Sequence, residues 1–259
     1  MCQVPCTSRQ FLNDETACTS YPFGCKTAGE FAVVDAHSGL VENYLAAADS
    51  QSSKIVAVIE THVQADHLSG LPQLIERTGA TPYMPEGSGA EFARRALADR
   101  ELVKLGNTVI EAIATAGHAP AHHSYLVTDH RRGEEPWFVL TGDSLLVGDV
   151  GRPDLHAAND ESVEGLPRTL YRSLHERLLA LPAYLLVYPA HYSGSVCGRG
   201  LSGHPGSNTG FERRHNDALA ARSEEAFVEA VLNDIPPAPE QHAEIVAANR
   251  SGEPSAALA

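Results

Sequence analysis

The chain has 259 residues, of which 43% are hydrophobic and 20% are charged, so it is long enough to bury a substantial core in one domain. Its formal net charge of -14 at pH 7 argues against nucleic acid or anionic lipid as a partner, because both bind to basic faces. No apolar run approaches the roughly 18 residues of a membrane-spanning helix, and the N-terminus MCQVPCTSRQ lacks a secretory signal, which predicts a cytoplasmic protein without a membrane partner.

The first half of the chain is predicted to alternate strands and helices. Two β-like runs at residues 17–24 and 31–35 flank a turn-forming stretch, which is typical of a hairpin. The spacing of apolar residues then predicts a helix at 39–48, a strand at 54–59, a helix at 68–77, a strand at 81–84 and a helix at 90–99. Gly79 follows the second of these helices and suits a C-terminal cap.

The second half begins with strand-like runs at residues 101–104, 109–115, 124–128 and 137–141. Apolar residues then recur every three or four positions, which predicts an amphipathic helix at 161–180. A strand at 184–188 and helices at 210–219 and 223–232 follow. Strand clusters with helices outside them indicate a layered α/β architecture.

The cysteines do not predict a disulfide framework. They are odd in number and widely spaced along the chain, at Cys2, Cys6, Cys18, Cys25 and Cys197. We therefore expect reduced thiols. The first four cysteines also lack the short CxxC spacing of a structural zinc site, so we do not expect them to bind zinc.

Four of the predicted strands end at a residue that can bind a metal. The runs KIVAVIETH, VIEAIATAGH, WFVLTGD and YLLVYPAH end at His62, His118, Asp143 and His191. A single His or Asp at a strand end is more often a turn residue. Four in succession favour a binding site, because a rigid sheet can present ligands from distant parts of the chain at its strand ends.

The segment that begins after the first of these strands, THVQADH, is the richest in ligands. It places His62, Asp66 and His67 within six residues. Imidazole and carboxylate groups coordinate metals, whereas a structural role would require separate hydrogen-bond partners for each side chain. We therefore interpret this segment as part of a metal site.

The pattern resembles the metallo-β-lactamase superfamily, whose signature is HxHxDH after a strand, followed by a distal His, a bridging Asp and a last His. The matching residues are His62, Asp66, His67, His118, Asp143 and His191. The resemblance implies an α/β fold of the αββα sandwich type, with two mixed β-sheets flanked by helices. We expect a single domain over residues 1–259, with a C-terminal helical tail from about residue 208.

One position departs from this signature, since Gln64 stands where the second His of HxHxDH belongs. A dinuclear zinc hydrolase would use that His at its first site, and the neutral amide oxygen of Gln is a weak replacement. The remaining set of His62, His118 and Asp143 is the kind expected of a non-haem Fe(II) centre that activates oxygen.

Within the superfamily, the chain resembles the persulfide dioxygenase branch, near the glyoxalase II-like hydrolases. The segments TGDSLLVGDVGRPDL and GHAPAHHSYLV carry this resemblance. It implies one Fe(II) per chain, bound by the residues at positions 62, 118 and 143, with Asp66, His67 and His191 forming hydrogen bonds around them. It also implies that O2 oxidises glutathione persulfide, or a related low-molecular-weight persulfide, to sulfite and a thiol.

Two other functions remain open on these residues. A zinc-dependent thioester hydrolase of the hydroxyacylglutathione hydrolase type could hold a zinc ion through Asp66, His67, His191 and the bridging Asp143. A catalytically silent sulfur carrier or regulatory binding protein on this fold is disfavoured, because unused buried ligands are costly. The resemblance is also compatible with a homodimer and with a separate sulfurtransferase as the sulfur donor.

Arg152 is a candidate for substrate binding, because a guanidinium group binds a carboxylate at two points. An internal salt bridge is an equal alternative for this side chain. His122 and His123 are expected to support the fold, since neighbouring side chains on a strand point to opposite faces.

Tyr192 and Cys197 are candidates for catalysis or substrate contact, because they lie in a glycine-rich stretch directly after His191. A Cys197 thiol close to a cation and to Arg199 would have a lowered pKa and could hold sulfane sulfur. A merely packed cysteine is the alternative.

Overall fold

The computed structural model of the protein describes residues 6–156, 160–192, 201–221, 223–233, 235, 237–238 and 241–253. Over these residues two β-sheets face each other, and helices cover their outer faces. This arrangement confirms the αββα sandwich that the sequence predicts.

The first sheet is formed by the N-terminal part of the chain. Its strands are β1 (Thr7–Ser8), β2 (Phe11–Asn13), β3 (Cys18–Cys25), β4 (Glu30–Val34), β5 (Lys54–Ile59), β6 (Thr81–Pro85) and β7 (Arg95–Leu97). Their order is β1-β3-β4-β5-β6-β7, and β2 also pairs with β3. The β3–β4 pair is antiparallel, whereas β4 to β7 run parallel, so the sheet is mixed.

The second sheet is formed by the strands that follow. They are β8 (Leu102–Leu105), β9 (Thr108–Ala114), β10 (His123–Asp129), β11 (Phe138–Gly142), β12 (Leu186–Pro189) and β13 (Ser207–Asn208). Their order is β13-β12-β11-β10-β9-β8, with β11 and β12 parallel and the other neighbours antiparallel. This sheet is mixed as well.

Apolar side chains from both sheets fill the space between them. The central strand β5 contributes Ala57 and Ile59 to this layer, while its Ile55 and Val58 pack in the layer beneath the helices. A strand covered on both faces needs a nearly continuous apolar run, which explains the KIVAVI segment.

Helices cover the outer face of each sheet. On the first sheet α1 (Val41–Asp49) and α2 (Leu71–Thr78) bury Tyr44 and Leu74, and on the second α3 (Asp160–Arg172) and α5 (Glu224–Leu232) bury Leu170 and Phe227. Further helical segments are the 3-10 turns Ser38–Leu40 and Asp217–Ala220, α4 (Thr209–His215) and α6 (His242–Ser251). In the described part of the chain, no helix is long and apolar enough to cross a membrane.

The predicted helix at residues 90–99 is wrong. Residues Arg95–Leu97 form β7, which pairs in parallel with β6, and Leu97 is completely buried. Just before this strand, the backbone N–H of Glu91 donates to the carbonyl of Arg250 at 2.8 Å. Pairing with distant segments therefore overrides the helical spacing of these residues.

The long amphipathic helix expected at 161–180 is confirmed with one change. After α3 ends at Arg172, the chain continues as a π-helical turn, Ser173–Leu178. The Ser173 hydroxyl donates to the carbonyl of Ala116 at 2.7 Å. Gly79 ends α2 in a left-handed conformation, with φ of 69°, as its position indicates.

Candidate metal centre

The predicted ligands meet at the ends of strands from both sheets. His62 follows β5 of the first sheet, whereas His118, Asp143 and His191 follow β9, β11 and β12 of the second. Each of these side chains is at most 1% exposed. The fold thus gathers residues that are far apart in the sequence into one buried site between the sheets.

Three of these residues direct ligand atoms toward a common point. Asp143 Oδ2 lies 3.4 Å from His118 Nε2 and 3.8 Å from His62 Nε2. Among the described residues, neither Asp143 Oδ2 nor His118 Nε2 has a hydrogen-bond partner, although both atoms are buried. Atoms that coordinate one ion at about 2.0–2.2 Å lie no more than about 4.4 Å apart, so these distances fit a bound cation.

The opposite atom of each ligand is held by the protein. The Thr61 hydroxyl donates to Asp35 at 3.0 Å and accepts from His62 Nδ1 at 2.9 Å. His118 Nδ1 lies 2.8 Å from the Arg152 carbonyl, which can only accept, so this nitrogen carries the proton. Both imidazoles are therefore oriented with an Nε2 lone pair available to a metal.

The charge states suit metal binding. Burial lowers the pKa of His62 and that of His118, so both imidazoles are neutral at neutral pH. Burial by itself would raise the pKa of Asp143, but the nearby histidines, led by His191 at 2.6 Å, lower it by more. Two neutral imidazoles and one carboxylate anion are thus present together, which is the form in which these groups coordinate a cation.

Gly151 allows the two loops of the second sheet to approach each other. A Cβ atom at this position would lie 1.9 Å from the Asp143 carbonyl oxygen and 2.9 Å from His118 Nδ1. Only glycine leaves room for this contact, so the glycine of the GRPD segment shapes the metal centre without binding to it.

Gln64 is engaged by two buried carboxyl groups. Its amide nitrogen donates to Asp35 Oδ1 at 3.2 Å and to Glu60 Oε2 at 3.5 Å, while its Oε1 has no partner among the described residues. Burial raises the pKa of Asp35 to about 6 and that of Glu60 to about 8. The side chain that replaces the signature histidine therefore serves as a hydrogen-bond donor to these carboxyl groups.

We expect Gln64→Ala to lower the free energy of unfolding by about 1–3 kcal/mol, because it removes a donor from buried carboxyl oxygens. The metal content should stay at the wild-type value, since Gln64 is not one of the proposed ligands His62, His118 and Asp143. Denaturant unfolding and elemental analysis measure the two effects. Gln51→Ala, in the turn after α1, serves as the control, and loss of metal from a folded Gln64→Ala protein would contradict this account.

A second cluster, formed by Cys18, Asp66, His67 and His191, adjoins the centre and is called the cysteine cluster below. Cys18 Sγ lies 3.3 Å from His67 Nδ1 and 3.3 Å from His191 Nε2. Asp66 accepts from His191 Nε2 at 2.5 Å and contacts His67 Nδ1 at 3.0 Å. Among its polar atoms only His67 Nε2 has no partner within the described residues, whereas both Asp143 Oδ2 and His118 Nε2 are unpaired in the centre.

Cys18 is a site residue that the sequence does not reveal. It begins β3, far from the ligand segments, and reaches them through an isolated β-bridge to His191. Burial raises the pKa of the Cys18 thiol, but His67 and His191 lower it by more, so the net shift is downward. The free thiols among the described residues, Cys6, Cys18 and Cys25, agree with the expectation of reduced cysteines.

The remaining predicted site residues are Arg152, Tyr192 and Cys197. The Arg152 guanidinium forms a two-point salt bridge with Asp154, at 2.8 and 2.7 Å, which is the internal alternative given by the sequence. Tyr192 donates its hydroxyl proton to Asp14 at 2.6 Å. Cys197 lies outside the described residues, so its role stays a prediction.

Two further histidines line the centre. His122 Nε2 accepts from the backbone N–H of Asp143 at 3.1 Å, a supporting role that agrees with the sequence interpretation. The second, His156, is a residue of the centre that the sequence pattern does not predict. Its ring centroid lies 6.0 Å from that of His62 and 5.6 Å from that of His118.

A sequence profile described as the metallo-beta-lactamase superfamily matches residues 17–191, a span that includes His62, His118 and Asp143. Since this span covers more than half of the chain, the protein belongs to the metallo-beta-lactamase superfamily.

The similarity to individual relatives extends over half of the chain or over nearly all of it. The mitochondrial persulfide dioxygenase ETHE1 of Homo sapiens is 27% identical over 242 residues, which cover 92% of this chain and 85% of that protein. The crystal structure of ETHE1 from Myxococcus xanthus superimposes with a TM-score of 0.82 at 30% identity, covering 95% of this chain and 98% of that one. A hydroxyacylglutathione hydrolase of Prochlorococcus marinus (strain MIT 9303) is 29% identical over 140 residues, or 53% of this chain and 50% of that protein.

Proposed function

We propose that the protein is a non-haem Fe(II) persulfide dioxygenase acting on glutathione persulfide or a related low-molecular-weight persulfide. The balanced reaction is RSSH + O2 + H2O → RSH + H2SO3, in which the sulfane sulfur is oxidised and O2 is reduced. When bound, Fe(II) would supply the redox chemistry and open coordination positions for both reactants.

The observation that carries this proposal is the donor set of the metal centre. His62, His118 and Asp143 offer two neutral imidazoles and one carboxylate, a set typical of iron oxygenases. The polar atoms of the cysteine cluster other than His67 Nε2 are already bonded, which favours a single ion in the adjacent centre. The similarity to ETHE1 proteins along nearly the whole chain supports the same assignment.

The substrate would bind in a cleft beside the cysteine cluster. This cleft has a volume of about 670 Å³ and is lined by residues that include His37, Asp66, His67 and Asn249. Pockets of about 300–1,000 Å³ accommodate ligands of the size of a small peptide thiol. The His37 ring stacks on that of His67, with centroids 5.0 Å apart, so it helps to fix one wall of the cleft.

The second candidate function is zinc-dependent hydrolysis of a glutathione thioester. It is favoured by the similarity to hydroxyacylglutathione hydrolase over half of the chain and by the carboxylate and imidazole groups of the cysteine cluster. In that function a zinc ion held by Asp66, His67, His191 and the bridging Asp143 would supply Lewis-acid chemistry for cleavage of the thioester.

One experiment separates the two functions. The protein is purified without oxygen, its iron and zinc are measured, and O2 uptake and sulfite are followed with glutathione persulfide. Hydrolysis of lactoylglutathione is measured in parallel, and Asp143→Asn serves as the metal-site control. We expect bound iron, with O2 consumed and sulfite formed in equal amounts.

Bound zinc together with thioester cleavage, and with no uptake of O2, would overturn the dioxygenase proposal in favour of the hydrolase. An iron-loaded protein that turns over neither substrate would contradict both functions and leave the sulfur-carrier alternative.

A further inference from the structure

A third imidazole lies against the two histidines of the metal centre. One ring nitrogen from each of His62, His118 and His156 forms a group in which all three atoms lie within 4.8 Å of one another. The His156 ring meets both other rings nearly edge-on, at interplanar angles of 82° and 76°. We propose that His156 is a further ligand of the metal, so that three imidazoles and one carboxylate surround the ion.

The hydrogen-bonding state of His156 supports a ligand role. Its Nε2 atom is buried and has no hydrogen-bond partner within the described ranges. The same is true of His118 Nε2 and Asp143 Oδ2. An unpaired buried polar atom costs free energy. One bound cation would satisfy all three of these atoms, which lie on neighbouring side chains.

A supporting role through hydrogen bonds does not account for His156. The Nδ1 atom of His62 is occupied by Thr61, and that of His118 by the Arg152 carbonyl. The atoms that remain on these rings are the Nε2 lone pairs, and His156 Nε2 forms no hydrogen bond to either of them within the described ranges. Atoms on opposite sides of an ion at about 2.1 Å are about 4.2 Å apart. The three nitrogens lie within 4.8 Å of one another, which is close to this spacing.

The position of His156 also bears on Gln64, which stands where the superfamily signature has its second histidine. Gln64 cannot supply an imidazole, and its amide nitrogen is held by Asp35 and Glu60. His156 follows the GRPDL segment after β11 and thus provides a third imidazole from a different part of the chain. A six-coordinate ion with these four ligands retains two open positions, enough for a persulfide sulfur and O2.

This inference rests on the proposed metal centre and not on the oxidation of persulfide. The test therefore uses Zn(II) and Co(II) alone, without persulfide or O2. X-ray absorption at the zinc edge counts the imidazole ligands, and Co(II) titration with a competing chelator measures the affinity. The proteins are wild type, His156→Ala, His156→Gln and the control His130→Ala, which changes an exposed turn residue.

We expect three imidazoles in the wild type and in the control, and two in both His156 variants. The Co(II) affinity should fall by at least about tenfold in the variants, because loss of even an outer-shell partner typically costs 10–100-fold. If His156→Ala does not fold, His156→Gln retains a polar side chain of similar volume, and the wild-type imidazole count still decides the question. Two imidazoles in the wild type, or wild-type coordination and affinity in a folded His156 variant, would overturn the inference.

Discussion

Asp143→Asn is expected to lower the affinity for the metal by more than about 100-fold, and turnover should fall with the metal content. The substitution preserves the size of the side chain but removes the negative charge that faces His62 and His118. Loss of an outer-shell partner alone typically costs 10–100-fold, so loss of the only carboxylate in the predicted ligand set should cost more. Chelator competition measures the affinity, and elemental analysis measures the bound metal.

The matched control for this prediction is Asp49→Asn, which makes the same chemical change at an exposed position at the end of α1. It should bind metal as the wild type does. Circular dichroism of the metal-free proteins establishes that both variants are folded. If folded Asp143→Asn retained wild-type affinity, the assignment of this carboxylate as a ligand would be wrong.

Removal of the metal is expected to lower the midpoint of thermal unfolding by about 10 °C. The ligands come from both sheets, with His62 after β5 and the other two after β9 and β11, so the ion binds only when the sheets are docked. A ligand present at about 1,000 times its Kd stabilises the folded state by about 4 kcal/mol. For a chain of this size, each kcal/mol corresponds to roughly 2–4 °C.

Calorimetry with and without a chelator, followed by addition of the metal, measures this shift. Asp143→Asn should unfold at the same temperature under both conditions, because it has little bound metal to lose. Equal midpoints for the loaded and metal-free wild type would show that the ion does not connect the two sheets.

The sequence predicts the framework of the site because local patterns determine it. The apolar run of β5 and the helical spacing of α3 reflect burial of their own side chains, and each is visible within a short window. His62, His118 and Asp143 are identifiable because each follows such a strand. The same pattern of strands and helices predicts a layered α/β architecture, and the resemblance of the ligand segments to the metallo-β-lactamase superfamily implies the αββα sandwich.

The remaining features depend on contacts between distant segments. Cys18 joins the cysteine cluster only because the start of β3 pairs with the loop at His191. His156 reaches the metal centre from a loop with no regular pattern of its own. Residues 95–97 form a strand because they pair with the edge of β6. No local pattern in the sequence indicates that this edge lies beside them.

The imidazole of His118 is oriented by the main-chain carbonyl of residue 152 and not by the side chain of that residue. The Arg152 side chain is occupied by Asp154, whereas its carbonyl holds the imidazole. Gly151, in contrast, has no space for a Cβ atom. Variants of this loop must therefore retain Gly151. A substitution of Arg152 would leave the carbonyl that holds His118 in place but would remove the guanidinium contacts with Asp154 and with the Pro237 carbonyl.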